Sequence, residues 1–127
     1  MLVRGTLMVD GWGTAQRAAL ARTFAERARG LLGRETFAEF DALCLRPCDA
    51  VHSFAMRATI DVAFCDREGR ILLCRAGLPA WRVASCPGAV TAWEWCAGTI
   101  AALRLGPGTR LAFQPAAAGR RPRTTAR

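Results

Sequence analysis

Apolar and polar residues alternate along several short stretches of this chain, a pattern typical of β-strands with one buried face. In the segment IDVAF, every second residue from Ile60 to Phe64 is bulky and apolar, while Asp61 falls on the other side of the strand. The turn sequence DREG follows and predicts a hairpin that returns through RILLCRA. Further strands are predicted at residues 2–9, 42–45, 89–96 and 109–113.

Helical patterns are few and short. Residues 24–34 have the spacing of a helix that ends near Gly30 or Gly33, and residues 97–105 can form a second one. The alanine-rich residues 15–23 are compatible with either state, because alanine favours a helix and their place between predicted strands favours a strand. The pattern therefore predicts a mainly β (α+β) fold, with a small curled or barrel-like antiparallel sheet and one or two short helices.

The basic residues affect the predicted domain organisation and partners only at the C-terminus. All 18 are arginine, and the sequence has no lysine, asparagine or tyrosine, which indicates a high-GC genome rather than selection for a nucleic-acid surface. Half of the net charge of +8 lies in the low-complexity residues 115–127. We expect a single domain over residues 1–114, followed by a disordered basic tail capable of weak, nonspecific contacts with anions.

Neither end of the sequence points to a membrane or an oxidising compartment. The start, MLVRGTLMVDGWG, lacks the basic residues and the long apolar run of a signal peptide, and no later stretch is apolar over the length of a membrane span. A cytoplasmic location without a membrane partner is therefore predicted, in which the six cysteines are reduced thiols. No two cysteines have the CxxC spacing, and no cofactor is predicted.

Four sequence blocks occur in an order and spacing that resemble a known family. They are ERARGLLGR (residues 26–34), CDAVHSFAMRATIDVAFCDREGRIL (48–72), WEWCAGT (93–99) and LGPGTRL (105–111). Over about residues 1–113 the chain resembles domain-of-unknown-function family 192. The resemblance implies a compact, mostly β single domain with a short helix after the first strands, and it implies no activity.

The positions most typical of that family can be located one by one in this chain. They correspond to Arg29, Gly30, Met56, Asp61, Glu94 and Gly98. The segment WEW departs from the family pattern, because tryptophans stand where leucines are usual on both sides of the glutamate. The glutamate is retained, but the shape of any neighbouring pocket is expected to differ.

A soft-metal site is one reading of the series C-x3-H-x3-M formed by Cys48, His52 and Met56. Thiolate, imidazole and thioether ligands suit a copper-type ion. Along a strand, however, residues four apart are separated by roughly 13 Å, too far to bind one ion. A turn near Asp49 can bring Cys48 and His52 together with Cys44, so a metal-binding protein remains an alternative hypothesis.

A small hydrolase is the second alternative, based on Asp61 and Glu94. Each carboxyl lies inside an apolar strand, where an isolated charge is very costly, so each must be paired, hydrogen-bonded or at the surface. Two carboxylates on neighbouring strands can act as an acid and a base. The structural reading is that Arg57, Arg82 or a backbone amide holds each of them. No serine-nucleophile or phosphate-binding motif accompanies them.

Tryptophans supply the last candidate. Trp93 and Trp95 alternate along one strand, typical of core residues, and with Trp81 they can also form a stacking platform for a ligand. The sequence favours a non-catalytic module that binds an unknown small ligand or protein, and it leaves enzymatic activity open. The predicted binding residues are His52, Met56, Arg57, Asp61, Glu94 and Gly98, and no catalytic residue or metal ligand is assigned.

Overall fold

Nine strands and one short helix form the part of the chain that the structure, a computed structural model, describes: residues 2–22, 39–52 and 59–117. In chain order they are β1 (Val3–Val9), β2 (Trp12–Ala21), β3 (Ala42–Leu45), β4 (Ala50–His52), β5 (Ile60–Cys65), β6 (Ile71–Leu78), β7 (Val83–Ser85), β8 (Thr91–Cys96), α1 (Thr99–Ala102) and β9 (Leu111–Pro115). The mainly β fold predicted by the alternating pattern is confirmed. No helix within the described ranges is long and apolar enough to cross a membrane.

Seven strands form one mixed sheet in the order β6-β5-β8-β3-β2-β1-β9. All neighbours are antiparallel except β2 and β3, which run parallel with Ala18 opposite Ala42. The prediction of an antiparallel sheet is therefore wrong at this pair. Residues 22–41 connect the two strands, and a parallel pair needs such a long connection because the chain must return to its starting end.

The sheet curls, but among the described residues it does not close into a barrel. A single bridge between Arg70 and Arg110 joins its two edge strands at one end. The Leu111 amide donates to the Gly69 carbonyl there, at 2.8 Å, and the Ile71 amide donates to the Thr109 carbonyl, also at 2.8 Å. Beyond this bridge β6 and β9 are not paired with each other, so the barrel-like form is not confirmed.

Two apolar clusters lie on opposite faces of the sheet. The inner face is the one around which the strands curl, and all seven strands contribute to its cluster. Its buried members include Leu7, Leu20, Cys44, Ala63, Cys65, Ile71, Trp93, Trp95 and Leu111. The outer face carries Ala19, Ala21, Leu43, Leu45, Ile60, Val62, Phe64 and Ala92. The alternation in IDVAF predicts this division correctly, since Val62 and Ala63 belong to different faces.

Part of the outer face is covered by a two-stranded ribbon made of β4 and β7. Val51 and Ala84 point from this ribbon into the outer cluster and are buried. The other side of the ribbon is exposed to solvent and carries His52 opposite Val83. The sequence does not predict the ribbon, because strands of three residues are too short to display an alternating pattern. The β5–β6 hairpin lies at one edge of the large sheet rather than at its centre.

The ambiguous residues 15–23 are strand as far as Ala21. Four consecutive alanine or leucine residues, 18–21, are buried there, because β2 lies between β1 and β3 with both faces covered. The helix predicted over residues 24–34 and the family positions Arg29 and Gly30 lie outside the described residues. At the other end, Pro115 pairs with Gly5 in β9, so strand structure extends one residue beyond the predicted domain boundary at 114. The tail beyond residue 117 is not among the described residues.

Candidate functional site

Asp61 is buried on the inner face, with a relative exposure of 1%, and among the described residues its carboxylate is hydrogen-bonded to backbone amides. One oxygen, Oδ1, accepts a hydrogen bond from the Gly77 amide at 2.9 Å. The other, Oδ2, accepts from the amides of Gly98 at 3.1 Å and Ile100 at 2.9 Å. Of the partners predicted for Asp61, the backbone amide is therefore the one that the structure shows.

These three hydrogen bonds join two irregular pieces of backbone. Gly77 lies in a β-bulge, where two residues of β6 oppose Asp61 alone on β5, and its φ of +70° suits glycine. Gly98 is the N-cap of α1 with φ of +96°, and its amide together with that of Ile100 is left without an intrahelical acceptor at a helix start. Asp61 thus holds the bulge and the helix together, and the position of Gly98 beside it is structural.

Glu94 is buried in β8 on the outer face, between Leu43 of β3 and Val62 of β5. Among the described residues it has no hydrogen-bond or ion-pair partner, and the loss of hydration raises the pKa of its carboxyl to about 8. Near neutral pH the group is therefore mostly protonated. A buried, neutral carboxyl can donate a hydrogen bond, but Glu94 lines neither the pocket beside Thr91 nor the one beside Gly77.

The two carboxyls do not form a pair. Asp61 lies opposite Trp95 in the β5–β8 ladder, and Glu94 lies opposite Val62, so their side chains leave the sheet on different faces. A general acid and its partner base must reach the same substrate. The hydrolase alternative based on Asp61 and Glu94 is therefore not supported by the geometry.

The ligands of the proposed copper-type site are only partly within the described residues. Cys48 is half-buried and its thiol donates a hydrogen bond to the Ala50 carbonyl, with Sγ and O 3.1 Å apart. His52 lies on the exposed side of the ribbon, and Met56 and Arg57 lie outside the described residues. In residues 2–22, 39–52 and 59–117, no three His, Cys, Asp or Glu side chains lie close enough together to hold a metal ion.

The tryptophans divide between core and surface. Trp93 and Trp95 stack on each other within the inner cluster, with ring centroids 6.1 Å apart and planes 13° from parallel. Both are buried, so they are core residues rather than a platform for a ligand. Trp81 is 62% exposed, with a φ of +63° in the turn between β6 and β7.

A pocket of about 190 Å³ lies at the end of the curled sheet away from Asp61 and α1. Here β5 ends at Cys65 and β8 begins at Thr91, which lies directly opposite it. We call this cavity the Thr91 pocket. Its lining includes Arg46, Cys65, Asp66, Arg67, Thr91 and Trp93. Trp93 and Cys65 belong to the inner cluster, so the floor of the pocket is the end of the apolar core.

The polar side chains that line the Thr91 pocket differ in their hydrogen-bond and ion-pair partners. Asp66 uses Oδ1 to accept hydrogen bonds from the amides of Glu68, at 2.8 Å, and Arg70, at 3.0 Å, in the turn after β5. Arg46 and Arg67 are exposed at the rim, and neither guanidinium forms an ion pair with a described carboxylate. Thr91 is only 5% exposed, and its side chain lines the pocket on the inner side of β8.

Two buried cysteine thiols at this end of the sheet are poor nucleophiles. Burial raises the pKa of Cys44 and the pKa of Cys65 to about 12, because the apolar surroundings disfavour the thiolate. The thiolate is the nucleophilic form of cysteine. Cys65, in the pocket floor, is consequently a small apolar residue rather than a nucleophile.

None of the predicted binding residues that the structure describes, His52, Asp61, Glu94 and Gly98, lines the Thr91 pocket. The sequence signal that marks it is weak: Thr91 is a polar residue on the side of β8 that otherwise carries Trp93 and Trp95. Arg46 and Arg67 are 21 positions apart in the sequence. Both line the same pocket because β3 and β5, the strands that precede them, flank β8 in the sheet.

Comparisons with known proteins agree with the fold. One similar solved structure, of a protein of unknown function from Novosphingobium aromaticivorans, is 22% identical, with 87% of this chain and 84% of that chain covered and a TM-score of 0.68. Another, of a putative transcription regulator from Sinorhizobium meliloti, is 19% identical, with 89% and 94% covered and a TM-score of 0.73. Residues 6–113 match the family model DUF192, described as "Uncharacterized ACR". No curated protein matches the chain.

Proposed function

The chain belongs to the uncharacterised DUF192 family, and we propose that it is a non-catalytic binding module whose small ligand occupies the Thr91 pocket. The observation that carries the proposal is the combination of side chains in this cavity. Thr91, only 5% exposed, lines it together with Arg46 and Arg67, which are exposed and form no ion pair among the described residues. A bound ligand can satisfy these polar groups while it covers the apolar floor.

The chemistry of the candidate residues favours binding over catalysis. Asp61 holds three backbone amides, and Glu94 lies on the opposite face of the sheet. The two buried thiols are protonated at neutral pH. Of these groups, only Cys65 lines the Thr91 pocket, so that pocket holds no pair of them for proton transfer or nucleophilic attack.

The pocket is suited to a small molecule. Its floor is apolar, and its rim has a few polar groups, which is the usual composition of a ligand site. Its volume of about 190 Å³ is below the range of drug-sized pockets, roughly 300–1,000 Å³. It lies at the end of the curled sheet where the Arg70–Arg110 bridge joins the two edge strands, since Gly69 and Leu111 also line it.

Screening of small molecules against the ¹⁵N-labelled protein by NMR tests this proposal. We expect a ligand to shift the amide signals of Cys65, Arg67 and Thr91, and to leave Gly98, at the other end of the sheet, unchanged. Native mass spectrometry of protein purified without chelator or affinity nickel is the complementary measurement, because it detects a molecule already bound. Ligand shifts confined to other regions, or none across a broad library, would contradict the assignment of the pocket.

Protein binding is a second candidate function, favoured by the exposed side of the β4–β7 ribbon. Val83 is 57% exposed opposite His52, and Trp81 is 62% exposed close by in the chain. A photoreactive residue at position 83 is expected to crosslink a discrete partner in cells that make the protein. The same residue at position 104, in the exposed turn after α1, is the control. Equal crosslinking from both positions would contradict a specific surface.

A further inference from the structure

We infer that the ligand of the Thr91 pocket carries an oxyanion, a carboxylate or a phosphate, held between Arg46 and Arg67 with the Thr91 hydroxyl as a third donor. This inference rests on the proposed function and assigns a chemical class to its ligand. It starts from the charges at the rim. Two guanidinium groups line the cavity against one carboxylate, that of Asp66.

Asp66 does not neutralise the arginines by pairing with them. Its Oδ1 accepts hydrogen bonds from two turn amides, those of Glu68 and Arg70. Neither Arg46 nor Arg67 has an ion-pair partner in the described structure, so each retains its full set of donors for another group. Arginine presents its donors in a planar fork that matches carboxylate and phosphate oxygens.

Thr91 places a further donor between the charged rim and the apolar floor. Its hydroxyl can donate a hydrogen bond to an oxygen of the ligand, since Thr91 lines the cavity. Below it, Trp93 and Cys65 offer a neutral surface, because the raised pKa of the Cys65 thiol keeps it uncharged. The site therefore fits a ligand with an anionic end at the rim and a small apolar end against the floor.

The test is a titration of the full chain, followed through the Thr91 amide signal by NMR at a constant ionic strength of about 0.15 M, which screens contacts between distant exposed charges. The probes are inorganic phosphate, a small aliphatic phosphate monoester, butyrate and the neutral butyramide. We expect at least one anion to bind at least tenfold more tightly than butyramide. The order of the anions distinguishes a phosphate site from a carboxylate site.

Arg46→Gln and Arg67→Gln are each expected to weaken anion binding about tenfold or more, and Thr91→Val several-fold, without altering butyramide binding. Arg75→Gln, which removes the same charge from the exposed surface of β6, is the control and is expected to change affinity less than twofold. Variants are compared only after their melting temperatures match that of the wild type within about 2 °C.

Two results overturn the inference. One is that butyramide or other neutral molecules bind at the Thr91 amide as tightly as the anions, which rejects the oxyanion and leaves the binding module standing. The other is that Arg75→Gln weakens anion binding as much as Arg46→Gln and Arg67→Gln, which means that the anions respond to overall charge. If no molecule of any class shifts the Thr91 amide, the proposed function fails together with the inference.

Discussion

Asp61 and Glu94 are adjacent in the β5–β8 ladder, one residue out of register, and their side chains point to opposite faces of the sheet. Asp61 accepts hydrogen bonds from three backbone amides, whereas Glu94 has only apolar neighbours in the ladder, Leu43 and Val62. Two carboxyls that look equivalent in the sequence thus have different physical roles. Asp61 holds two pieces of backbone together, and Glu94 is a buried acid whose pKa is raised by the loss of hydration.

Asp61→Asn is expected to destabilise the protein by about 2–4 kcal/mol, because the amide nitrogen of asparagine cannot accept from the Gly98 and Ile100 amides that Oδ2 now binds. Urea denaturation measures this loss. Asp66→Asn is the matched control, since Oδ1 of Asp66 accepts both of its turn amides and asparagine retains that oxygen. We expect the control to cost less than about 1 kcal/mol. Equal losses in the free energy of unfolding from the two substitutions would show that the Oδ2 hydrogen bonds of Asp61 do not stabilise the fold as described.

Glu94 is expected to make the wild-type protein less stable as pH rises. Burial raises the pKa of its carboxyl from 4.5 to about 8 in the fold, so between these values the unfolded chain binds fewer protons than the native state. The contribution of Glu94 to the free energy of unfolding is therefore greatest below pH 4.5, falls as pH rises, and levels off above about pH 8. Glu94→Gln, which cannot ionise, is expected to match the wild type near pH 4.5 and to exceed it by about 3–5 kcal/mol at pH 8.

Denaturant titrations between pH 5 and pH 8 measure this difference. Glu68→Gln, in the exposed turn after β5, is the control and is expected to follow the wild-type curve. Superimposable curves for Glu94→Gln and the wild type would mean that the Glu94 carboxylate is ionised beside a cation in the fold.

The relation between these two residues shows where sequence patterns stop being informative. Alternation within IDVAF and TAWEWC assigns each residue to a side of its own strand, and the structure confirms those assignments. Which side of one strand matches which side of the next depends on register, and register is fixed by packing between distant segments. The hydrolase hypothesis fails at this step, although both strands are predicted correctly.

Local features of the fold can be predicted from the sequence, whereas features that join distant segments cannot. The DREG turn predicts the β5–β6 hairpin because turn chemistry is local. The parallel β2–β3 pair depends on a connection of about twenty residues, and no local pattern specifies its return point. The Thr91 pocket combines Arg46 and Arg67 across three strands, so neither residue stands out in the sequence.

The cysteines are expected to differ sharply in reactivity. Because burial raises the pKa of the Cys44 and Cys65 thiols to about 12, both remain protonated and covered at pH 8. Iodoacetamide is expected to label exposed Cys96 first, and to leave Cys44 and Cys65 unmodified until the protein unfolds. Peptide mass spectrometry after timed labelling measures the order, with labelling in denaturant as the control for all six thiols. Labelling of Cys65 as fast as Cys96 in the native protein would contradict its burial.

Two C-terminal truncations that differ by three residues are expected to differ in their effect on stability. Deletion of residues 118–127 should leave the melting temperature within about 2 °C of the full chain, since β9 and the Ala116–Arg4 hydrogen bond remain. Deletion of residues 115–127 also removes the Gly5–Pro115 pair, and is expected to cost about 1 kcal/mol or more. Calorimetry separates the two outcomes. A large loss from the shorter deletion would show that the tail docks on the domain.

The pairing of β1 with β9 has a consequence for how the protein is made. The first strand of the domain is covered on one edge only by the last strand, and Leu111 fills the inner core from that final segment. Before β9 is made, β1 pairs with β2 and β2 with β3, but the other edge of β1 stays open. The native sheet is therefore complete only after residue 115 has been made, and joining residues 2 and 117 by a short linker, with new ends cut in an exposed turn, should yield a circular permutant with the same sheet.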